Sequence, residues 1–292
     1  MKGYLIINHF LRTEKFEELY HWLVKAANRQ DVELITKTNV ECMTCMGNGV
    51  QQEKDIDFVL FWDKDIKLAR LMEARGYRLF NSAWAIQICD DKAYTHIELE
   101  RAGIPMPRTW VSPMTYSNIG YTEISFLESV EACLGYPMVV KDCCGSFGQQ
   151  VYLCHNREEV LEHLKDGVIF QEYMKQSFGR DIRLQVVGDK VITAMYRYSE
   201  NGDFRANISN GGKMKPYEWT KEQEKLAVAS VKALGLDFAG VDILFGENDA
   251  PMVCEVNSNA HFKNIYDCTG VDTADAILTY IKECVNKDKQ PV

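Results

Sequence analysis

The rhythm of apolar residues changes along the chain, and this change constrains the fold more than any other feature. Up to about residue 90, strand-like runs alternate with helix-like ones. YLIIN (4–8), VELIT (32–36), DFVLFW (57–62) and the short YRLFN (77–81) read as strands. Between them, EKFEELYHWLVKAANRQ places Phe16, Leu19, Leu23 and Ala26 at helical spacing, and DIKLARLMEARG is a second helix stopped at Gly76. Such alternation predicts a parallel sheet with helices on its faces. A helix over about 83–102, ending at Gly103, leads into IPMPRTWV, whose prolines keep the backbone extended. Beyond it strands dominate. YPMVVKD, QVYLCH and VIFQEYM are strand-like, with the helical NREEVLEHL before the last of them. DIRLQVVGDKVITAMYRYS reads as a hairpin around Gly188-Asp189. A helix at about 220–234 precedes the runs AGVDILFG and PMVCEVN, and a last helix covers about 272–285. This second part reads as an α+β body.

Bulk properties exclude several classes. A chain of 292 residues with 46% hydrophobic and 26% charged residues is an ordinary globular protein, long enough for two or three domains. A net charge of −9 without a basic patch argues against nucleic acid as a partner. No run approaches the roughly 20 apolar residues of a membrane span, and MKGYLIINHF lacks the pattern of a signal peptide. A cytoplasmic location is expected, which the 10 scattered cysteines suit. Cys42 and Cys45 form a CxxC with no second pair to complete a zinc site, so no metal or redox role is expected of them.

Three groups of residues carry chemistry. Lys141 ends the apolar run PMVV and is followed at once by the glycine-containing loop GSFGQQ. Glycines allow close backbone approach to an anion, so lysine plus loop suggests a phosphate site; a lysine snorkelling at a strand end is the alternative. Asp242 interrupts one apolar strand, and Glu255 and Asn257 the next, with only FGENDAP between the runs. Strands joined by so short a turn are neighbours, which brings three oxygen ligands together as Mg²⁺ prefers. Carboxylates satisfied by Arg183, Arg197 or Arg205 are the alternative. Those arginines, with Asn207, form a third group suited to phosphate or carboxylate, unless they are charges on a solvated sheet face.

DKAYTHIELERAGIPMPRT, YPMVVKDCCGSFGQQV, VIFQEYMKQSFGRDIRLQVVGDKVITAMYR, FRANISNGG, GVDILF and EVNSN, in this order over about 90–260, resemble the ATP-grasp superfamily. Within it the chain looks like the RimK/LysX group of ATP-dependent amino-acid ligases, the alpha-L-glutamate ligase family; its tail, HFKNIYDCTGVDTADAILTYI, is closer to the LysX type. The resemblance implies an ATP-grasp fold of α/β and α+β class. It divides the chain into an N-terminal pre-ATP-grasp domain (1–90), a central subdomain with the glycine loop (91–175) and a C-terminal subdomain with the metal and acceptor site (176–292). It implies that Lys92 and Lys141 hold the phosphates of ATP under the loop Gly145, Ser146 and Gly148. Gln171, Glu172 and Tyr173 would line the adenine, and Asp181 would bind the ribose. Asp242, Glu255 and Asn257 would hold Mg²⁺, or Mn²⁺ in its place. Arg183, Arg197, Arg205 and Asn207 would serve the acceptor carboxylate and the transferring phosphoryl group. The implied reaction joins a carboxylate to an amine through an acyl phosphate. Its substrates would be amino acids or peptides, extending to a protein or carrier-peptide terminus, and it leaves room for a homo-oligomer. A small-molecule kinase and a non-catalytic nucleotide-binding regulator are the alternatives on this fold. One departure bears on specificity: RimK-type ligases often follow EVN with a small residue, Pro and Gly, whereas Ser258, Asn259, Ala260 and His261 follow here.

Overall fold

The computed structural model describes residues 1–47, 55–145, 150–208 and 211–288. β1 (Lys2–Ile7), α1 (Glu14–Arg29), β2 (Glu33–Thr38), β3 (Phe58–Phe61), α2 (Ile66–Ala74) and β4 (Leu79–Phe80) form a parallel sheet of order β2-β1-β3-β4. Leu5 and Ile6 of β1 face opposite sides, yet both are fully buried, because helices cover both faces. Gly3 is required in this strand: a Cβ there would lie 2.5 Å from the Phe58 ring. α2 starts where Asp65 accepts the Leu68 N–H, and it ends before Gly76 at φ +90°.

The helix expected over 83–102 is two helices, α3 (Ala83–Asp90) and α4 (Lys92–Arg101). Asp91 breaks it, because its carboxylate accepts the backbone N–H groups of Ala93 and Tyr94 and so caps a new helix. The break puts Lys92 on the first turn of α4, where its own N–H bonds the Cys143 carbonyl at 2.9 Å. β5 (Thr109–Val111), α5 (Phe126–Leu134), β6 (Met138–Asp142), β7 (Val151–Cys154), α6 (Arg157–His163) and β8 (Val168–Glu172) follow, the strands forming an antiparallel sheet of order β5-β8-β6-β7. Met138, Val140, Val168 and Phe170 turn to one face and pack with Leu127 and Val130 of α5. Lys141 and Gln171 lie on the other.

β9 (Arg180–Val187), β10 (Lys190–Tyr198), β11 (Lys213–Pro216), α7 (Lys221–Ala233), β12 (Phe238–Phe245) and β13 (Pro251–Asn257) complete an antiparallel sheet of order β11-β10-β9-β12-β13. The expected hairpin turns at Gly188, φ +61°. Ile182, Leu184, Val186, Val241 and Ile243 face α7 and join its Leu226 and Val231 in one core. The alternating residues therefore face away from that core; Asp181, Arg183, Gln185 and Asp242 are among them, flanked by the apolar Val187, Phe238 and Leu244. α8 (Lys263–Thr269) and α9 (Thr273–Asp288) then return to the first sheet, where Ile277, Leu278 and Ile281 share a core with Leu5, Leu23 and Phe58. Asn81, fully buried, clamps this sheet to the last one. Its Oδ1 accepts from the N–H groups of Asp237 and Phe238, and its Nδ2 donates to the carbonyls of Phe238 and Ser258.

Candidate active site

Sheet register brings the charged residues of the last sheet together. Arg183 lies opposite Asp242, and Asp181 opposite Arg197. Asp242 also lies opposite Glu255, and Gly240 opposite Asn257. After Asp242 the pairing slips, so Ile243 meets Val253 and Cys254 is left as an extra bulged residue. Directly opposed residues share a face, and so Asp181, Arg183, Arg197, Asp242, Glu255 and Asn257 stand on one side of the sheet.

The arginines are taken up by the carboxylates. Arg183 grips Asp242 with two bonds of 2.6 Å. Arg197 grips both oxygens of Asp181, at 2.6 and 2.8 Å, and also reaches Asp242 at 3.0 Å. Burial works against the charge of Asp242, but the Arg183 and Arg197 guanidinia outweigh it and hold this carboxyl below its ordinary range. Burial pushes Asp181 up, with the Asp242 charge adding to it. Arg205 pairs locally with Asp203.

The facing sheet supplies the lysines. Lys141, 7% exposed, donates to Gln171 Oε1 at 2.6 Å and lies 3.6 Å from Cys254 Sγ. The amide of Gln171 donates to Thr109 Oγ1 at 3.0 Å and meets His96 Nε2 at 2.9 Å. His96 Nδ1 lies 2.7 Å from the Lys92 carbonyl. A carbonyl only accepts, so Nδ1 carries the proton, Nε2 accepts from Gln171, and Gln171 turns its oxygen to Lys141. Neutral His96 is thus the form that fits. Burial, with help from Lys141 and Lys92, holds it down to about 4. Lys92 itself donates to the Gly145 carbonyl at 3.0 Å and approaches Glu255 at 3.7 Å.

Two cavities meet at these residues. The first lies between the two antiparallel sheets; Val139, Met174 and Leu244 give it apolar walls, and Lys92, Lys141, Arg197 and Asp181 give it charge. The second, of about 580 Å³, lies between the first sheet and the last. Lys92, Gly145, Arg197, Asn207 and Glu255 line both.

Most of the residues expected at the site from sequence are therefore near one another. Tyr173, Glu172, Arg205 and Asn207 line the first cavity. Glu172 is also held by Arg108 at 3.0 Å. Gln171 and Asp181 line that cavity too; the Gln171 oxygen accepts from Lys141, and both oxygens of Asp181 accept from Arg197. Ser146 and Gly148 lie outside the described residues. Sequence reasoning missed His96, which looks like any residue of a polar helix. It also missed Asn8 and Asp63, although they follow the carboxyl ends of β1 and β3, where α/β sheets hold ligands.

Whether these side chains suit a divalent cation rests on their spare oxygens. Among the described residues no three His, Cys, Asp or Glu side chains group as metal ligands. Two carboxylates and a carboxamide nevertheless suit Mg²⁺, which is commonly held by one or two carboxylates plus phosphate oxygens. The buried Asn257 Nδ2 has no partner among the described residues, and the described ion pair of Glu255 is with Lys92, at 3.7 Å. Asp242 accepts three of the roughly four bonds a carboxylate can take.

A family model described as "RimK-like ATP-grasp domain" matches residues 89–281. Over 223 residues the chain is 34% identical to N-acetylaspartylglutamate synthase A of Homo sapiens, covering 75% of this chain and 56% of that protein, so it spans little more than half of the human enzyme. Over 267 residues it is 32% identical to probable alpha-L-glutamate ligase 2 of Hahella chejuensis, covering 87% of this chain and 85% of that one. In structure it is similar to the ATP-grasp ligase PsnB, solved with a variant of its minimal precursor, Mg and ADP. There the TM-score is 0.70 at 18% identity, over 97% of this chain and 98% of that one, which shows a shared fold.

Proposed function

The chain belongs to the RimK-like ATP-grasp family, whose named relatives are ligases and synthases, and from that premise we propose how it works as an ATP-dependent ligase joining a carboxylate to an amine. ATP occupies the cavity between the antiparallel sheets, with its base between Val139, Met174 and Leu244 and close to Glu172, Tyr173 and Asp181. Lys141, held by Gln171, and Lys92, beside Gly145, take the phosphates. Glu255, Asn257 and the remaining lone pair of Asp242 would hold Mg²⁺ or Mn²⁺, which would supply charge neutralisation for the phosphates. The acyl and amine substrates, amino acids or peptides, occupy the second cavity. The γ-phosphoryl group passes to the carboxylate and ADP leaves. The amine nitrogen then attacks the acyl carbon, the bond to phosphate breaks, and the nitrogen loses its proton. The protein's own groups orient the reactants and stabilise charge. No side chain is needed as a nucleophile.

The observation that carries this reading is the junction of the two cavities at Lys92, Arg197, Asn207 and Glu255. A phosphoryl group there is within reach of both a nucleotide and a second substrate. The test is phosphate and ADP release against amino acids and peptides, singly and in pairs. A ligase releases phosphate only when carboxylate and amine are both present. A kinase leaves the phosphate on its product, and a regulator that only binds nucleotide releases none.

A further inference from the structure

The second cavity is lined in part by acceptors that the described residues leave under-satisfied. Asp63, at the carboxyl end of β3, is only 9% exposed. Its carboxylate accepts from Asn8 Nδ2 at 3.1 and 3.2 Å and from the Lys64 N–H at 2.7 Å, all neutral donors. Among the described residues no lysine or arginine pairs with it; the neighbouring Lys64 ammonium goes to Asp90 instead. A buried carboxylate without a cation is costly, and burial pushes its pKa up. Asn259 donates its Nδ2 to the Asp63 carbonyl at 3.1 Å, which leaves Oδ1 buried without a partner. His261 Nε2 lies 3.1 Å from the Lys15 carbonyl and must donate there, which leaves Nδ1 as a buried, unpartnered acceptor. All three side chains line the same cavity. Lys15, Arg183 and Arg197 line this cavity as well.

We propose that Asp63, Asn259 and His261 form a subsite for a primary amino group, the amine partner of the ligation. An ammonium offers three N–H donors, one for each acceptor, and supplies the charge that Asp63 lacks. The subsite is close to the reaction centre. Asn259 stands two residues beyond Asn257, at most about 7 Å of chain. It falls in the Ser258–His261 segment, where the chain departs from the Pro-Gly turn of RimK-type ligases, so the departure serves amine choice. The proposal rests on the ligase reading for which amine is bound, but not for whether one binds.

The test separates the two. Ethylammonium chloride is titrated into the Mg-ATP-loaded protein, with sodium chloride as control, while the ¹⁵N resonances of the His261 imidazole are followed. A saturable shift of Nδ1 is expected in wild type and is absent in Asp63→Asn. In parallel, ADP release is measured with L-glutamate as carboxylate against ethylamine, L-alanine, L-lysine and their N-acetyl forms. Turnover is expected with free amines only. Asp63→Asn should raise the amine KM about ten-fold or more with the ATP KM unchanged, and Asp63→Glu should recover part of the loss. No Nδ1 shift in wild type, or an amine KM unmoved in Asp63→Asn, overturns the subsite. Ethylammonium binding without ADP release for any pair leaves the subsite standing and removes the ligase reading.

Discussion

Replacing Gln171 with leucine removes a side chain that touches Lys141, His96 and Thr109 together. The bond from the Lys141 ammonium is charge-assisted and contributes about 1.5–3 kcal/mol; the two neutral bonds contribute about 0.5–1.5 kcal/mol each. Leucine returns about 1.5–3 kcal/mol by burying its apolar side chain. Taken at the middle of these ranges the net loss is about 2 kcal/mol, less than the roughly 5–15 kcal/mol of a typical domain, so the protein stays folded. Lys141 is left with only Cys254 Sγ, at 3.6 Å, as a described partner. Its ammonium is no longer aimed, and Mg-ATP affinity should fall about ten-fold. Urea unfolding reads the first effect and titration with a fluorescent nucleotide the second. Gln171→Glu makes the contrast sharper. It keeps an oxygen for Lys141 but turns a second acceptor towards His96 Nε2, so affinity should recover only at acid pH, where His96 takes up a proton. A Gln171→Leu protein that loses stability yet binds nucleotide like wild type would refute the orienting role.

Asn81→Ala strips four hydrogen bonds from a fully buried junction between two sheets; it should cost about 4 kcal/mol or more in urea unfolding, and a loss below 1 kcal/mol would show that the clamp is idle. His96 and His261 both have an ordinary pKa of 6.5 and are held near 4 by burial. Folding therefore favours their neutral forms: stability is full above pH 6.5 and falls as pH drops towards 4, by up to about 3 kcal/mol for each residue. Unfolding curves at pH 7 and pH 4.5 check this, and His96→Gln should flatten part of the slope. Glu255→Gln should lower turnover about a hundred-fold or more with the fold intact by circular dichroism, since one charged ligand for the cation is gone; activity like wild type would remove Glu255 from the metal set.

Most strands and helices were legible along the chain because their signals are local, whereas the short β5, α5, β11 and α8 were not read. A period of two or 3.6 residues, a glycine at a turn and a proline pair need only near neighbours. The β12–β13 pairing was also legible, since so short a connection leaves little choice. The split at Asp91 was missed because the cap and the apolar spacing compete over the same few residues, and the N–H of Lys92 finds its partner, the Cys143 carbonyl, far along the chain. For the site, the residue types could be read but not their pairings. Arg183 and Asp242 are 59 positions apart, and Lys141 and Gln171 are 30 apart; only sheet register joins them. Asp63 and Asn259 stand 196 positions apart and meet because α8 and α9 carry the chain back to the first sheet. The sequence by itself determined which segments are strands or helices and which carry charge. Tertiary structure decided which charges are matched and which acceptors are left without partners, because both depend on contacts made only when distant segments pack.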